Sequence, residues 1–161
     1  TSIQAGSIAV TGTSATDTIT SVDLSNSIVL FNGQWTGFVV TEDSLNTRVS
    51  LTNSTTVTAN RNSSSGTINV NYTVIEFSGG INFIEQNTGV NISDGNDYVD
   101  VALSQSVDLA KTAIFYGGYE TTRTSSEGTS SVSLLNTNTV RVHAQNGAGS
   151  VTTSFTVLEF S

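Results

Sequence analysis

Apolar residues along the chain alternate with Thr, Ser and Asn in short runs, and no stretch shows a convincing apolar period of 3.6 residues. The runs are rich in Val, Ile, Thr and aromatic residues, and clusters of Gly, Asn, Asp and Ser separate them, which is typical of β-strands. The pattern predicts strands at residues 8–10, 28–31, 38–41, 48–51, 55–59 and 67–77 of the first half. In the second half it predicts strands at 90–92, 98–103, 112–116, 131–135, 139–144 and 150–160. We therefore expect an all-β fold with no substantial helix.

The pattern occurs twice along the chain. Residues 49–78 align without a gap with residues 132–161, and twelve of these thirty positions are identical, including a closing Thr-Val-x-Glu-Phe-Ser. Self-similarity of this kind is the sequence signature of repeated structural units. We predict a tandem duplication, with one unit at 1–78, a Gly79-Gly80 linker and a second unit at 81–161. Each unit is expected to be an antiparallel β-sandwich, jelly-roll or immunoglobulin-like in topology.

Two loops rich in Asn, Ser and Gly occupy the same place in the two repeats, at residues 62–66 and 146–149. Asn and Gly tolerate the positive φ angles that tight turns require. Because each loop lies between two strong strands, we predict that it closes a β-hairpin that finishes its unit.

Composition narrows the classes of function. Thirteen acidic residues against five basic ones give a formal net charge of −8, and the bases are scattered, which argues against nucleic-acid binding. Ser, Thr and Asn make up roughly two fifths of the chain, and there is no cysteine for a disulfide framework. Neither a membrane-spanning apolar run nor a secretory signal pattern is present. The sequence predicts no membrane partner and synthesis in a cytoplasm.

Proline is absent, and the chain has a single lysine, Lys111. Proline and lysine are the residues that commonly protect exposed sheet edges. Either bulges and short edge strands protect this protein, or another chain covers its edges. The strand at 67–77 carries apolar residues on both faces, which predicts packing against the sister unit or against another subunit.

Candidate catalytic and metal-binding residues are few. His143 is the only histidine, and a single histidine without cysteine supplies too few nitrogen and sulfur ligands for zinc or iron. Glu76 and Glu159 occupy equivalent repeat positions, so we expect a role for each within its own unit rather than a glycosidase pair. The sequence therefore predicts a protein that is not an enzyme and has no cofactor.

A short acidic segment, Asp94-Gly95-Asn96-Asp97 with Asp100 nearby, has the oxygen-rich composition of a calcium loop. It lacks the twelve-residue spacing and the closing Glu of a calcium-binding EF-hand. An Asp-Gly turn between two strands explains the same residues. We predict the turn and no metal site, with calcium as the alternative.

Three aromatic residues give the best candidate contact site. Trp35 in the first unit and Tyr116 and Tyr119 in the second fall near the same repeat position. Aromatic faces can stack on sugar rings, which would suit a glycan-binding module. Trp and Tyr are also enriched at interfaces between units and subunits, and we favour that interpretation.

The opening segment resembles a known family. Residues 3–8, 12–16 and 19–23 are similar to a small β module that recurs in tailed-bacteriophage virion proteins, as are the run at 51–59 and the closing Val-x-Glu-Phe at 74–77. The first unit resembles this module along most of its length, whereas the second retains only the closing strands. The resemblance implies a structural role in the head or tail and carries no catalytic residues.

From these observations we expect a virion protein made in the host cytoplasm. The leading hypothesis is a decoration or cement protein that binds the major capsid protein or other virion proteins as a homo-oligomer, with a trimer favoured. The alternative is a tail-associated receptor-binding module that recognises carbohydrate through Trp35, Tyr116 and Tyr119.

Overall fold

A computed structural model describes residues 1–37, 42–122, 129–145 and 149–161 of the chain. The first half contains the strands β1 (Ser2–Val10), β2 (Ser14–Thr18), β3 (Ser27–Trp35), β4 (Thr47–Asn53), β5 (Thr56–Arg61) and β6 (Ile68–Glu76). The second half contains β7 (Ile81–Ile92), β8 (Tyr98–Ala102), β9 (Thr112–Thr121), β10 (Ser130–Asn136), β11 (Thr139–Ala144) and β12 (Val151–Phe160). The described helices are a 3₁₀ turn at Leu24–Asn26 and one helical turn, α1, at Glu42–Leu45.

The protein is all-β, as the sequence predicts, and its strands form antiparallel sheets of a β-sandwich type. In the first half the strand orders are β1-β6-β3 and β2-β5-β4. In the second half they are β7-β12-β9 and β8-β11-β10, so the two halves have the same order. The order β2-β5-β4 corresponds to strands B-E-D of the immunoglobulin sandwich, whereas β1 lies beside β6 in the opposite sheet.

Equivalent hydrogen bonds recur in the two halves. The amide of Val22 donates to the carbonyl of Ser54, and the amide of Val107 donates to that of Thr137. A glycine with positive φ lies within the same β-bulge in β3 and β9, at Gly33 (φ 101°) and Gly118 (φ 87°). The structure thus agrees in strand order and register with the repeat seen in the sequence, while the duplication itself and the unit boundaries stay predictions.

Each half has its own hydrophobic core. Strand alternation explains the first core, because β6 directs Ile68, Val70, Tyr72 and Val74 inward and leaves its intervening residues half-buried. The second core contains the β12 residues Val151, Phe155 and Val157. Burial of such side chains is the main favourable term in the stability of each sandwich.

The predicted closing hairpins are wrong. The loop at 62–66 joins β5 to β6, and these strands belong to different sheets. The connection from β11 to β12 likewise crosses between sheets, and residues 146–148 of its predicted turn lie outside the described residues. The hairpins are instead β4-β5 and β10-β11, whose turns are closed by Asn53 and Asn136 accepting backbone N–H groups. Asn-rich loops reverse the chain in both situations, so local composition does not distinguish them.

Several predicted strands have different bounds. The sequence pattern captured only the ends of β1 and β7, and it missed β2 entirely. Strands β1 and β7 are rich in Ser, Asn, Gln and Gly. They pair with apolar neighbouring strands that supply most of the buried surface. The strand predicted at 38–41 lies outside the described residues. In the described part of the chain, no helix is long and apolar enough to cross a membrane.

Candidate interaction surface

The three predicted aromatic contact residues have different environments. Trp35 ends β3 and is 58% exposed. Tyr116 and Tyr119 lie on β9 and are half-buried, and Tyr119 packs against the core of the second half. The hydroxyl of Tyr116 forms a 2.7 Å hydrogen bond with Ser130 Oγ. Trp35 is therefore the most accessible of the three, while their proposed role in partner or glycan contact stays a prediction.

Tyr116 predicts a loss of stability at alkaline pH. Burial raises the pKa of Tyr116 to about 12, above the value near 10 of an exposed tyrosine. Because the unfolded chain releases this proton at lower pH than the folded chain, stability is full below pH 10 and falls as pH rises toward 12. We expect a loss on the order of 2 kcal/mol in urea unfolding between these pH values, and a shallower decline in Tyr116→Phe. Burial and Asp17 also raise the pKa of Tyr72, so some decline persists in that variant. An identical decline in Tyr116→Phe and the original chain would contradict this assignment.

The acidic segment at 94–100 forms a turn with internal partners. Gly95 has a φ of 79°, and the amide of Asn96 donates to the carbonyl of Ser93. Asp94 Oδ1 accepts from the amide of Gly149. Asp100 accepts two hydrogen bonds of 2.7 Å from Arg141, and they lower its pKa. Among the described residues, no group of three or more His, Cys, Asp or Glu side chains could hold a metal ion.

Glu76 and Glu159 have the same role in the two halves. Glu76 Oε1 accepts the backbone N–H of Asp23 at 2.8 Å, and Glu159 Oε1 accepts that of Asp108 at 3.0 Å. Each carboxylate therefore anchors the turn that leads into the next strand of its own half. His143 is exposed on β11, and its ring centroid lies 5.8 Å from that of Tyr98.

The most developed contact surface joins the two halves. Strand β4 of the first half meets β9 of the second at Arg48 and Gly118, which links two three-stranded sheets into one of six strands, β2-β5-β4-β9-β12-β7. A Cβ on Gly118 would collide with the carbonyl oxygen of Thr47, and one on Gly117 would lie 2.9 Å from that of Val49. The two glycines are thus required for the close approach of β4. We call this contact the internal junction.

Arg48 crosses the internal junction. Its Nε lies 3.2 Å from Glu120 Oε1, and its NH1 group donates to Ser154 Oγ at 3.3 Å. The Arg48 and Glu120 side chains are only 14% and 20% exposed. A charge pair this shielded from solvent is weakened less by salt than an exposed pair.

We expect the Arg48–Glu120 pair to couple the stability of the two halves. A double-mutant cycle with Arg48→Gln and Glu120→Gln should give a coupling energy of about 1 kcal/mol in urea unfolding. The exposed Arg141–Asp100 pair, which lies within the second half, is the matched control, and Arg141→Gln should not weaken contact between the halves. Additive effects of the two junction substitutions would contradict this coupling.

The internal junction also covers one face of β12. Ser154, Thr156 and Leu158 point away from the core of the second half, yet all three are buried. Gln86 on β7 donates a 3.1 Å hydrogen bond to the carbonyl of Ser27 on β3, which ties the halves together at the same place. The sequence predicted such packing for the strand at 67–77, which is β6, but the outward residues of β6 are only half-buried. The strand buried on both faces is β12, its counterpart in the second half, and the first half supplies the second layer.

The sequence alone did not identify the junction residues. In the sequence Arg48 is one of five scattered basic residues, and Gly118 is one of fourteen glycines, so neither indicates a contact. A residue-by-residue comparison of the repeats contains a signal, because Arg48 aligns with Ser131 and Glu120 with Trp35. Since only twelve of the thirty aligned positions in residues 49–78 are identical, such differences do not by themselves identify the junction.

Comparisons of the chain with models of known protein families, with curated protein sequences and with solved structures found no match.

Proposed function

We propose that the chain is a non-enzymatic structural protein of a tailed-bacteriophage virion. Its most specific form is a decoration protein that binds the outside of the assembled head as a homotrimer, after synthesis in the host cytoplasm. Its partners are the major capsid protein or other virion proteins, and neither nucleic acid nor a membrane is among them.

The internal junction is the observation that carries this proposal. It demonstrates that a sandwich of this design packs edge against edge and face against face through uncharged residues and one shielded ion pair. Charged residues are only 11% of the chain, so few of the residues available for its other faces carry a charge. A surface with so few charges is better suited to repeated contacts between subunits than to full exposure to solvent.

A decoration protein stabilises a capsid by mass action. Because it binds the assembled shell and not the dissociated subunits, its binding free energy adds to the stability of the shell. Rigid β-sandwiches suit this role because they lose little conformational entropy on binding.

The test uses heads from a phage that encodes the chain and heads from a mutant in which its gene is deleted. We expect the purified chain to bind the mutant heads to saturation and to raise the temperature at which they release DNA. Heads that neither bind the chain nor gain stability would overturn the proposal.

The exposure of Trp35 favours a second candidate, a tail-associated module that binds cell-surface carbohydrate. An exposed indole can stack on a sugar ring. Glycan-array binding that Trp35→Ala abolishes, while the circular dichroism spectrum is unchanged, would support this alternative. Equal binding by both proteins, or none, would reject it.

A further inference from the structure

We propose that a second copy of the chain docks head to tail, its β10 edge meeting the β3 edge and the outer face of sheet β1-β6-β3. This contact repeats the internal junction between molecules. It specifies how copies of the chain associate. It rests on the proposed function only for the premise that they do associate.

The first argument is equivalence of position. In the internal junction, β4 of one sandwich meets β9 of the next. The counterpart of β4 in the second half is β10, because Arg48 lies opposite Asn60 just as Ser131 lies opposite His143. The counterpart of β9 in the first half is β3, which has the same bulge. Among the described strands, β3 and β10 each end a three-stranded sheet. The first residues of β3 already contact the second half in the internal junction, but the part of β3 around Gly33 pairs with no described strand other than β6.

The second argument concerns the space beside the two bulge glycines. Both Gly33 and Gly118 have a positive φ, but their surroundings differ. The backbone of Thr47 and Arg48 lies against Gly118, whereas no described atom lies within 4 Å of a Cβ built on Gly33. The space that β4 fills at one bulge is open at the other.

The third argument is the outer face of β6. Its residues Asn71, Thr73 and Ile75 are the counterparts of Ser154, Thr156 and Leu158, which the internal junction buries. In β6 the three residues are only half-buried. The neighbouring strand β1 adds Ile3, opposite Ile75 and 67% exposed, and the small residues Ala5 and Ser7. These six side chains carry no charge, so burying them removes no ionic hydration.

Three of the seven exposed large apolar side chains among the described residues fall on the two surfaces of the proposed contact. Ile3 and Trp35 belong to the receiving face of the first half, and Leu109 belongs to the docking half. The 3₁₀ turn at Leu24–Asn26 contacts β7 in the internal junction, and its counterpart in the second half contains Leu109. A repeated junction would therefore place Leu109 of one copy beside β1 of the next, where Ile3 lies.

The residues of the two junctions differ. In the internal junction Arg48 lies opposite Gly118, and its guanidinium lies over Gly89 and Ser154. In the proposed junction Ser131 lies opposite Gly33, and Asn32, whose side chain donates a 2.6 Å hydrogen bond to Thr73 Oγ1, takes the place of Gly117. Because a Cβ on Gly117 would lie 2.9 Å from the carbonyl oxygen of Val49, β10 must lie farther from β3 than β4 lies from β9. Ser131 and Trp35 take the places of Arg48 and Glu120, so the proposed junction has no ion pair. Such a heterologous contact either closes into a ring or extends as a filament.

Cross-linking tests the contact directly, because the chain has no natural cysteine. Single variants Ser131→Cys and Trp35→Cys are mixed and treated with a short bis-maleimide. We expect covalent dimers from the mixture, little dimer from either variant alone, and little from Trp35→Cys mixed with Thr16→Cys, which places a thiol on the exposed strand β2. Dimer yields in the mixture no higher than in these controls would overturn the proposal.

Light scattering over a dilution series gives an independent measurement. The original chain is expected to exceed its monomer mass of 16.8 kDa at high concentration. Ile3→Lys should shift the average mass toward the monomer, and Thr16→Lys, which adds the same charge on an exposed residue of another sheet, should not. A monomeric mass at every concentration, or equal masses for the two variants, would contradict the head-to-tail contact.

The two proposals fail differently. Cross-linked copies that do not bind heads would leave the head-to-tail contact standing and refute the role in the particle. Chains that bind heads without cross-linking through residues 35 and 131 would support the role in the particle and refute the head-to-tail contact.

Discussion

Arg61→Ala is expected to lower the free energy of unfolding by about 3–5 kcal/mol. Arg61 is 1% exposed, and its guanidinium donates to the backbone carbonyls of Gly12, Ser44, Ser65 and Gly66 at 2.6–3.3 Å. These carbonyls belong to three separate connections between strands of the first half, one of which contains α1. Removal of the side chain leaves buried acceptors without donors and releases all three connections at once. Urea unfolding followed by tryptophan fluorescence measures the loss, because Trp35 is the only tryptophan.

Two variants sharpen this test. Arg61→Lys retains the charge but cannot present the planar set of donors, so it should recover only part of the stability. Arg141→Ala removes an arginine at the surface whose side chain is 25% exposed, and its effect should be much smaller. An unfolding midpoint for Arg61→Ala equal to that of Arg141→Ala would show that the buried hydrogen bonds contribute little.

Gly118→Ala is expected to destabilise the protein by about 2–5 kcal/mol, from a positive-φ cost of about 1–2 and an overpacking cost of about 1–3 kcal/mol. The added methyl group would collide with the carbonyl of Thr47, and β4 would have to withdraw from β9. We expect the halves to unfold in two separate transitions rather than one, which differential scanning calorimetry can resolve.

Gly33→Ala is the matched control for Gly118→Ala. Its φ of 101° imposes a similar conformational cost, but no described atom lies within 4 Å of the added Cβ. In dilute solution, below the concentration at which copies associate, it should lose only about 1–2 kcal/mol and keep a single transition. Equal losses in the two variants would mean that the internal junction does not depend on close approach at Gly118.

The sequence predicted the fold class correctly because the strands with the clearest β pattern can be recognised from their own residues. Strands β8, β10, β11 and β12 follow runs rich in Val, Leu, Thr or aromatic residues, and their predicted positions agree with the structure to within one or two residues. Strands β1 and β7 were mostly missed since their neighbours β6 and β12 supply the apolar surface. The alternation of apolar and polar residues within one strand does not show that a neighbouring strand will bury it.

The contact residues were harder to predict for a related reason. The role of Arg61 depends on carbonyls from three connections between strands, and that of Arg48 depends on how the two sandwiches meet. Both arginines look like solvated bases in the sequence. The repeat alignment shows that Arg48 and Glu120 are replaced by Ser131 and Trp35 in the other half, but many other positions differ as well, so the sequence does not single these residues out.

An image of the intact particle by electron cryomicroscopy tests the central claim most directly. The account predicts density for the chain on the outside of the head, at junctions between capsid subunits, with β10 of one copy beside β3 of the next. A head without this density, or copies that contact only capsid protein and never one another, would contradict it.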